Sequence, residues 1–400
     1  TAWADDRPLS SSSVTLNDES SNAQAGFSVS SAGDLNGDGL QDFAVGAPYY
    51  DYSIYTDAGV AYILFGDDSG WVNEGLTTAA VASVKGVDGS VFVGASVAGG
   101  GDVNGDGFDD LLIGGPWPGG IPAGSGWLML LPGMGSGWTP TIAMNDLCKI
   151  SGKTNEAIGW SAAITGLTDG DQLADIVVGG QYDSNMKGDV WWIAGRSGFR
   201  SNEVYTSSML PDYRYNGTTN GELVGNSVSS AGDVNGDGKD DFLVGRKGDG
   251  NGTDAKAYLY LGGSIPSSGT VQGTAPIRFT GGSSDKCPCS VAGIGDINAD
   301  GYGDIAIGTA TFSDSGGTNR GKVFLYYGGP SGTFSSSTPL STADMTFVGE
   351  RAGDQAGYAV APAGDLNDDG YADFAIGAPY NDQAGTDSGK IYVLLGFPTQ

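Results

Sequence analysis

The sequence predicts an all-β fold, a six-bladed β-propeller of four-stranded antiparallel blades, on three observations. Related units start at residues 26, 94, 159, 225, 288 and 357, in steps of 63 to 69 residues. Glycine supplies 71 of 400 residues, and no long segment has apolar residues at a spacing of 3.6. Each unit holds short apolar runs separated by Gly- and Asp-rich turns, a pattern typical of propeller blades rather than helical repeats.

The elements follow the same order in every unit. In the first unit, residues 27–33 form a strand before an acidic loop, and the apolar run 43–46 follows that loop. The small and β-branched residues of this second run are typical of an inner strand covered on both faces. Residues 59–65 predict a third strand. A weaker fourth strand is clearest at residues 277–280 and 345–348.

The two ends of the chain complement each other. The last unit stops after its third strand, at Gly396, whereas residues 14–16 precede the first unit as an unassigned strand. We expect these segments to pair, so that the N-terminal strand closes the ring and leaves no open sheet edge. The prediction is therefore a single propeller domain over residues 1–400, with residues 1–25 completing the last blade.

A nine-residue acidic loop recurs intact in five units. Side-chain oxygens fall at loop positions 1, 3, 5 and 9, with Gly at position 6. These candidate metal ligands are Asp34, Asn36, Asp38 and Asp42; Asp102, Asn104, Asp106 and Asp110; Asp233, Asn235, Asp237 and Asp241; Asp296, Asn298, Asp300 and Asp304; and Asp365, Asn367, Asp369 and Asp373. Carboxylate and amide oxygens suit Ca²⁺ better than Mg²⁺, which retains water and needs an octahedron.

Two other interpretations of the loop are weaker. The chain has no His and no loop contains Cys, so zinc is a poor candidate. Asn-Gly and Asp-Gly pairs also form simple hairpin turns, because they tolerate positive φ. Such turns need no carboxylate at position 9, however, and five copies retain one. We therefore expect about five Ca²⁺ sites.

The third unit carries a degenerate copy of the loop. Leu167 replaces the acid at position 1, and Gln172 replaces the glycine at position 6. Asp169, Asp171 and Asp175 remain and can hold a poorer ion. We expect this sixth site to be weak or empty.

The charge balance restricts the partners. Lys and Arg number 18 against 47 Asp and Glu, which gives a net charge of −29. We therefore do not expect the protein to bind nucleic acid or anionic membranes. Five Ca²⁺ ions, each of charge +2, would change −29 to −19. No run of 18 apolar residues exists, so we expect no membrane insertion. The start at Thr1 fits a processed export product or an excised fragment, and weak calcium loops favour an extracellular location.

The repeat resembles a known family. Gly26-Phe27 with Gly46-Ala47-Pro48, and Gly357-Tyr358 with Gly377-Ala378-Pro379, enclose the acidic loops in the manner of FG-GAP repeats, as in integrin α-subunit β-propellers and many microbial surface proteins. The resemblance implies a further ligand, the backbone carbonyl at loop position 7, from Leu40, Phe108, Lys239, Tyr302 and Tyr371. Integrin propellers have seven blades and calcium in only some of them, whereas this sequence has six units and five intact loops.

The resemblance also implies a ligand face opposite the calcium loops. Tyr50, Tyr52 and Tyr55 follow the second strand of the first unit and do not repeat, so we expect them to bind a ligand. Tyr49, Trp117 and Tyr380 do recur. Packing between blades and ligand binding explain these three equally well.

The main functional hypothesis is an extracellular calcium-binding propeller that serves adhesion or ligand binding. Its ligand is a protein or a carbohydrate, bound by the variable loops on the face opposite the calcium loops. We expect that the protein is not an enzyme. The absence of His excludes Ser-His-Asp, Cys-His and HExxH chemistry. A carboxylate pair would still allow a glycan-active hydrolase or lyase. A structural spacer is a third hypothesis. The three Cys residues, Cys148, Cys287 and Cys289, are an odd number and form no disulfide framework. Cys287-Pro288-Cys289 is consistent with a strained local bridge, a redox pair or two unreactive thiols, and a structural role is favoured.

Overall fold

The computed structural model describes residues 16–17, 22–66, 74–117, 124–181, 185–206, 209–248, 256–282, 284–285, 290–367, 369–383 and 389–397. Strands dominate it, and its six main sheets are the blades of a β-propeller. This confirms the predicted all-β, six-bladed fold class. Two one-turn α-helices, α1 (Leu76–Ala79) and α2 (Val271–Thr274), and two 3₁₀ turns (Met144–Asp146 and Leu340–Thr342) lie between the third and fourth strands of their repeats.

The strands are numbered along the chain. The elements from the N-terminus through the second repeat are β1 (Leu16–Asn17), β2 (Ser28–Gly33), β3 (Asp42–Ala47), β4 (Val60–Leu64), β5 (Glu74–Gly75), β6 (Ala82–Lys85), β7 (Ser96–Gly99), β8 (Leu111–Gly115), β9 (Trp127–Leu131), β10 (Ile142–Ala143) and β11 (Cys148–Ser151). The third and fourth repeats add β12 (Ile158–Gly166), β13 (Asp175–Gly180), β14 (Asp189–Ile193), β15 (Val204–Thr206), β16 (Tyr213–Asn216), β17 (Val224–Gly232), β18 (Asp241–Arg246), β19 (Lys256–Tyr260), β20 (Gly269–Thr270) and β21 (Ile277–Thr280). The last two repeats add β22 (Ser290–Gly295), β23 (Asp304–Thr309), β24 (Lys322–Tyr326), β25 (Thr338–Pro339), β26 (Met345–Val348), β27 (Ala359–Gly364), β28 (Asp373–Ala378) and β29 (Lys390–Leu394).

Each complete blade has the predicted four antiparallel strands, but most sheets contain a fifth. The sheet orders are β10-β6-β4-β3-β2, β15-β11-β9-β8-β7, β12-β13-β14-β16-β20, β17-β18-β19-β21-β25, β22-β23-β24-β26 and β27-β28-β29. The added strand is short, comes from the following repeat, and pairs in parallel with the fourth strand, as in Ile142 with Val84. We call these short strands straps. They were not predicted, because two residues carry no periodicity.

The N-terminal strand β1 takes the position of a fourth strand relative to the first strap. Leu16 and Asn17 pair in parallel with Glu74 and Gly75 of β5, as the other fourth strands pair with their straps. Residues 14 and 15 lie outside the described residues. Closure of the ring by the N-terminal strand therefore stays a prediction, as does the single-domain boundary.

The chain divides into two compact units. One comprises Thr1–Ile164 with Gly195–Leu210, and the other comprises Thr165–Ala194 with Pro211–Gln400. Within each unit, the core lies between neighbouring blades. In the first unit, Ile63 and Val84 of one sheet and Ile113 and Met129 of the next share one buried cluster. The second strands β8, β13, β18 and β23 are buried along their whole length, as predicted for inner strands.

Close approach of blades depends on a glycine near the end of the second strand. In β8, a Cβ on Gly114 would lie 2.0 Å from the carbonyl oxygen of Gly159 in the next repeat. The same oxygen accepts a hydrogen bond of 2.9 Å from Ser96 Oγ. Gly114 therefore has no room for a side chain, and neither does Gly46 of the first repeat, where a Cβ would lie 2.0 Å from the carbonyl oxygen of Gly94.

We expect Gly114→Ala to lower the free energy of unfolding by about 1–3 kcal/mol, because the methyl group collides with backbone that cannot rotate away. The matched control is Gly245→Ala at the same position of the fourth repeat, where the nearest atom to a new Cβ is 3.3 Å away. Urea unfolding measured by tryptophan fluorescence compares the two. Equal losses would contradict the packing argument.

Candidate functional site: the acidic loops and the aromatic face

The acidic loops have a repeated internal hydrogen-bond pattern. In the first loop, Asp34 Oδ1 accepts the N–H of Gly37 at 2.6 Å, and Asp34 Oδ2 accepts that of Gly39 at 2.9 Å. Asp38 Oδ1 accepts the N–H of Leu40 at 2.8 Å. The bonds to positions 6 and 7 recur in the loops that begin at Asp102, Asp233, Asp296 and Asp365. The carboxylates at positions 1 and 5 thus hold the loop in a tight turn by accepting hydrogen bonds from its backbone N–H groups.

The aspartate at position 9 has a different role, because it is buried. Asp110 Oδ2 accepts the N–H of Val103 at 2.8 Å, and Oδ1 accepts that of Gly133, beyond the third strand, at 3.1 Å. Asp42, Asp241, Asp304 and Asp373 make the equivalent pair of bonds. Position 9 therefore fastens the start of its loop to the end of the third strand.

Burial perturbs these carboxyl groups. Burial raises the pKa of Asp110, Asp241 and Asp304 to about 7, although hydrogen bonds from backbone N–H groups oppose the shift. The pKa of Asp42 is raised for the same reason. A nearby positive charge would favour the ionised form of each group.

The donor set fits a hard cation such as Ca²⁺. Loop position 3 of the fourth repeat provides the clearest observation, because Asn235 is only 8% exposed and its buried Oδ1 has no hydrogen-bond partner. An unpartnered buried oxygen is costly unless something binds it. Among the described residues, no three acidic or Cys side chains converge into a metal cluster by themselves. The structure thus brings the predicted ligands of each loop onto one turn without assembling a cluster.

The degenerate third loop is held together by side-chain hydrogen bonds. Thr168 occupies position 2, where the intact loops have an apolar residue. Its Oγ1 donates to Asp175 Oδ2 and accepts from Trp192 Nε1 at 3.0 Å. No position-1 acid exists here, and the Asp171 N–H keeps the bond to the position-3 side chain that the first loop also has, to Asp169 Oδ1 at 2.9 Å. The predicted weakness of this site stays a prediction.

A cavity of about 440 Å³ lies beside the third loop. It is lined by Asp169, Trp192, Ala194, Asp212, Tyr213, Gly263 and Ile265. Trp192 and Tyr213 stack with their ring centroids 5.4 Å apart. Asp212 Oδ2 accepts the N–H of Ala194 at 2.9 Å. Sequence reasoning missed this cavity, whose residues come from separate strands and loops.

In the first blades, a row of aromatic rings lies at the end away from the acidic loops. At this end the first strands begin and the second strands end. We call Phe27, Tyr49, Phe92, Trp117 and Trp160 the aromatic row. Successive rings meet edge to face at centroid distances of 6.2, 5.3, 6.1 and 5.6 Å. The recurring aromatics therefore pack together, yet Phe27 remains 51% exposed.

The predicted ligand-binding tyrosines lie on a hairpin next to this row. Tyr52 and Tyr55 exchange two backbone hydrogen bonds of 3.0 Å each. Tyr50 packs against the core of its blade, and Lys85 Nζ lies 5.0 Å from the centroid of the Tyr52 ring. The most exposed apolar residue of the hairpin is Ile54, at 84%. Sequence reasoning missed Ile54, which lies between the named tyrosines.

The cysteine expectations are only partly covered by the described residues. Cys148 is free and buried, and burial raises the pKa of its thiol to about 12. Cys287 and Cys289 lie outside the described residues. A buried thiol with so high a pKa is unreactive.

Comparison with known proteins identifies the class. The model of the FG-GAP repeat matches residues 25–64, 93–129, 224–260, 290–326 and 356–394. These stretches contain the five intact loops, and the third repeat lies outside them. The chain therefore contains FG-GAP repeats in five of the six blades of its β-propeller, which confirms the predicted resemblance.

The relatives found are integrin α-subunits. The chain is 28% identical over 233 residues to integrin alpha-PS2 of Drosophila melanogaster, which covers 56% of this chain and 15% of that protein. It is 34% identical over 153 residues to integrin alpha-6 of Gallus gallus (36% and 12%) and 30% identical over 229 residues to integrin alpha-IIb of Homo sapiens (55% and 20%). The chain thus spans at most a fifth of these relatives.

In the part of the chain that the structure describes, none of the helices has the length and apolar content needed to cross a membrane.

We expect Asp110→Ala to destabilise the protein even in chelator, because it leaves the buried N–H groups of Val103 and Gly133 unpaired. Each unpaired group costs about 1–3 kcal/mol. Asp106→Ala in the same loop is the control, since Asp106 is exposed and accepts only the N–H of Phe108. Chemical unfolding in EDTA compares the variants. Equal stability would remove the structural role assigned to position 9.

Proposed function

We propose that this protein is an extracellular, calcium-stabilised module for adhesion or ligand binding, and that it is not an enzyme. The observation that carries the calcium proposal is the loop pattern, in which acids at positions 1 and 5 gather oxygens onto one turn in five repeats. The candidate ligands remain the side chains at positions 1, 3, 5 and 9 with the carbonyl at position 7. Calcium, when bound, supplies positive charge that offsets the repulsion between these acids.

The chain's own residues prepare the loops for an ion. The position-1 acid fixes the turn, and the buried position-9 acid ties that turn to the third strand. An ion held between these positions would join the first, second and third strands of one blade. The hydrogen bonds around the loops support the proposal that the ion stabilises every intact blade.

The ligand proposal rests on the aromatic row and the neighbouring hairpin. Large aromatic rings give contact area at a low cost in side-chain entropy, and clustered exposed apolar groups are typical of interaction sites. We propose a protein ligand, because the relatives are integrin α-subunits and the chain is strongly acidic. Tyr52, Tyr55 and Ile54 are its expected contacts, with Tyr50 as their support against the blade core. The similarity to integrin α-subunits does not support a carbohydrate ligand.

The glycan-active hydrolase or lyase retains one observation in its favour, the two carboxylates of Asp169 and Asp212 in the cavity beside the third loop. Asp212 is engaged with the backbone of Ala194 through one oxygen. We rank this alternative second, because an aspartate that anchors a backbone turn is constrained in its movement toward a substrate.

We expect calcium to raise the melting temperature clearly above that in EDTA. At a hundredfold excess over Kd, each independent site contributes about 2.7 kcal/mol to the free energy of unfolding. Differential scanning calorimetry in Ca²⁺, Mg²⁺ and EDTA measures the effect, and Mg²⁺ should give the smaller shift. Coinciding curves in Ca²⁺ and EDTA would refute the calcium proposal.

For the ligand, we expect Ile54→Asp to weaken binding at least tenfold, because it adds charge and hydration to the exposed tip of the hairpin. The control is Met209→Asp, which adds the same charge to an exposed apolar residue (63%) outside the hairpin and outside every acidic loop. An array of purified extracellular proteins probed in Ca²⁺ identifies the ligand, and surface plasmon resonance measures the variants. Loss of binding only in Met209→Asp would refute the assignment of the ligand to the hairpin.

A further inference from the structure

Neighbouring acidic loops are connected by an aspartate at loop position 8. Asp109 of the second loop accepts the N–H of Asp34 at 2.8 Å through Oδ2, and its own N–H donates to the Asp34 carbonyl at 3.3 Å. A Cβ on Gly33 would lie 2.1 Å from Asp109 Oδ2, so glycine is required beneath this carboxylate. One side chain of the second repeat is thus inserted against the first residue of the preceding loop.

Asp109 lies next to proposed calcium ligands of both loops. Asp34 is position 1 of the first loop, and Asp109 fixes the peptide group that carries it. In its own loop, Asp109 lies between the carbonyl of Phe108 and the carboxylate of Asp110. The Phe108 ring also covers the first loop, since a Cβ on Gly37 would lie 2.7 Å from it. The two loops are therefore in direct contact through the Asp109 carboxylate and the Phe108 ring.

Comparison of the repeats isolates the contribution of the carboxylate. Asp240 of the fourth loop makes the same bond to Leu167 of the third, at 2.9 Å. The fifth and sixth loops have Gly303 and Ala372 at position 8, which donate only their backbone N–H groups to the preceding loop, at 2.8 and 3.0 Å. Two loop pairs have the carboxylate link, and two lack it. The fourth and fifth loops keep the ring contact as well as the backbone bond, since a Cβ on Gly236 would lie 2.5 Å from the Tyr302 ring, so they differ from the first and second loops in the carboxylate.

We propose that Asp109 couples calcium binding in the first loop to calcium binding in the second, an inference that rests on the calcium sites proposed above. An ion in the second loop holds Asp109 in place, and Asp109 in turn holds the Asp34 peptide in its ligating position. Coupling of this kind is reciprocal, so each ion raises the affinity of the other loop by the same factor. Asp109 is therefore a positioning residue and not a ligand.

The test follows each loop separately by NMR. The N–H groups of Gly39 and Gly107 donate to the position-1 acids, so their ¹⁵N-TROSY signals report Ca²⁺ binding in the first and second loops. The protein is stripped with chelator and titrated with Ca²⁺ alone. Asp106→Ala removes a ligand from the second loop. We expect it to raise the midpoint of the Gly39 titration about five- to tenfold, within the usual range of coupling between sites.

Three variants separate coupling from general damage. In an Asp109→Ala background, Asp106→Ala should change the Gly39 midpoint less than twofold. Asp109→Asn, whose amide oxygen can still accept the Asp34 N–H, should restore the dependence. Gln41→Ala is the matched control, because Gln41 is the position-8 residue of the first loop and bonds only to Ser31 in its own repeat; it should leave the coupling intact.

The fourth and fifth loops test the carboxylate itself. Asp300→Ala should shift the Gly238 midpoint less than twofold, because Gly303 provides no carboxylate. If Asp300→Ala shifts the Gly238 midpoint as much as Asp106→Ala shifts the Gly39 midpoint, the role of Asp109 is overturned. An unchanged Gly39 midpoint in Asp106→Ala would overturn it as well. If no position-6 glycine responds to Ca²⁺ in the unaltered protein, the calcium proposal itself fails, which is a distinguishable result.

Discussion

The buried aspartate at loop position 9 is the interaction on which the blades depend. It accepts one N–H from the start of its loop and another from the end of the third strand, and it does so in all five intact repeats. A carboxylate is costly to bury without partners, so both bonds must form together. These two hydrogen bonds fix the position of the loop relative to its sheet without an ion.

The degenerate third repeat shows what the loop needs when its first acid is missing. Asp175 is still buried and still accepts the N–H of Thr168, at 3.0 Å. The Thr168 hydroxyl and the Trp192 indole extend that bond into a network, and apolar side chains hold the equivalent positions elsewhere. The blade keeps the aspartates at positions 5 and 9 and lacks only the acid at position 1. The hydrogen bonds around Thr168 thus hold this loop to its blade without that acid.

Most of the fold could be predicted from the sequence because its information is local. The strand β21 (Ile277–Thr280) and the strand β26 (Met345–Val348) lie where the apolar runs predicted them, and the loops follow from acids at fixed spacing. The straps, the cavity and the packing of Trp192 on Tyr213 depend on residues distant in sequence, so no spacing rule reaches them. The position-8 link had one visible signal, the Asp-Asp pairs at residues 109–110 and 240–241.

The straps have a consequence for how such a chain can gain or lose repeats. Each strap belongs by sequence to one repeat but completes the sheet of the repeat before it. A segment duplicated from one first strand to the next would carry its strap onto a neighbour of unchanged shape, so the copy fits at once. A segment shorter than one period would leave a sheet edge uncovered. Gain or loss of a whole period therefore keeps every strap paired, whichever residue the period starts from.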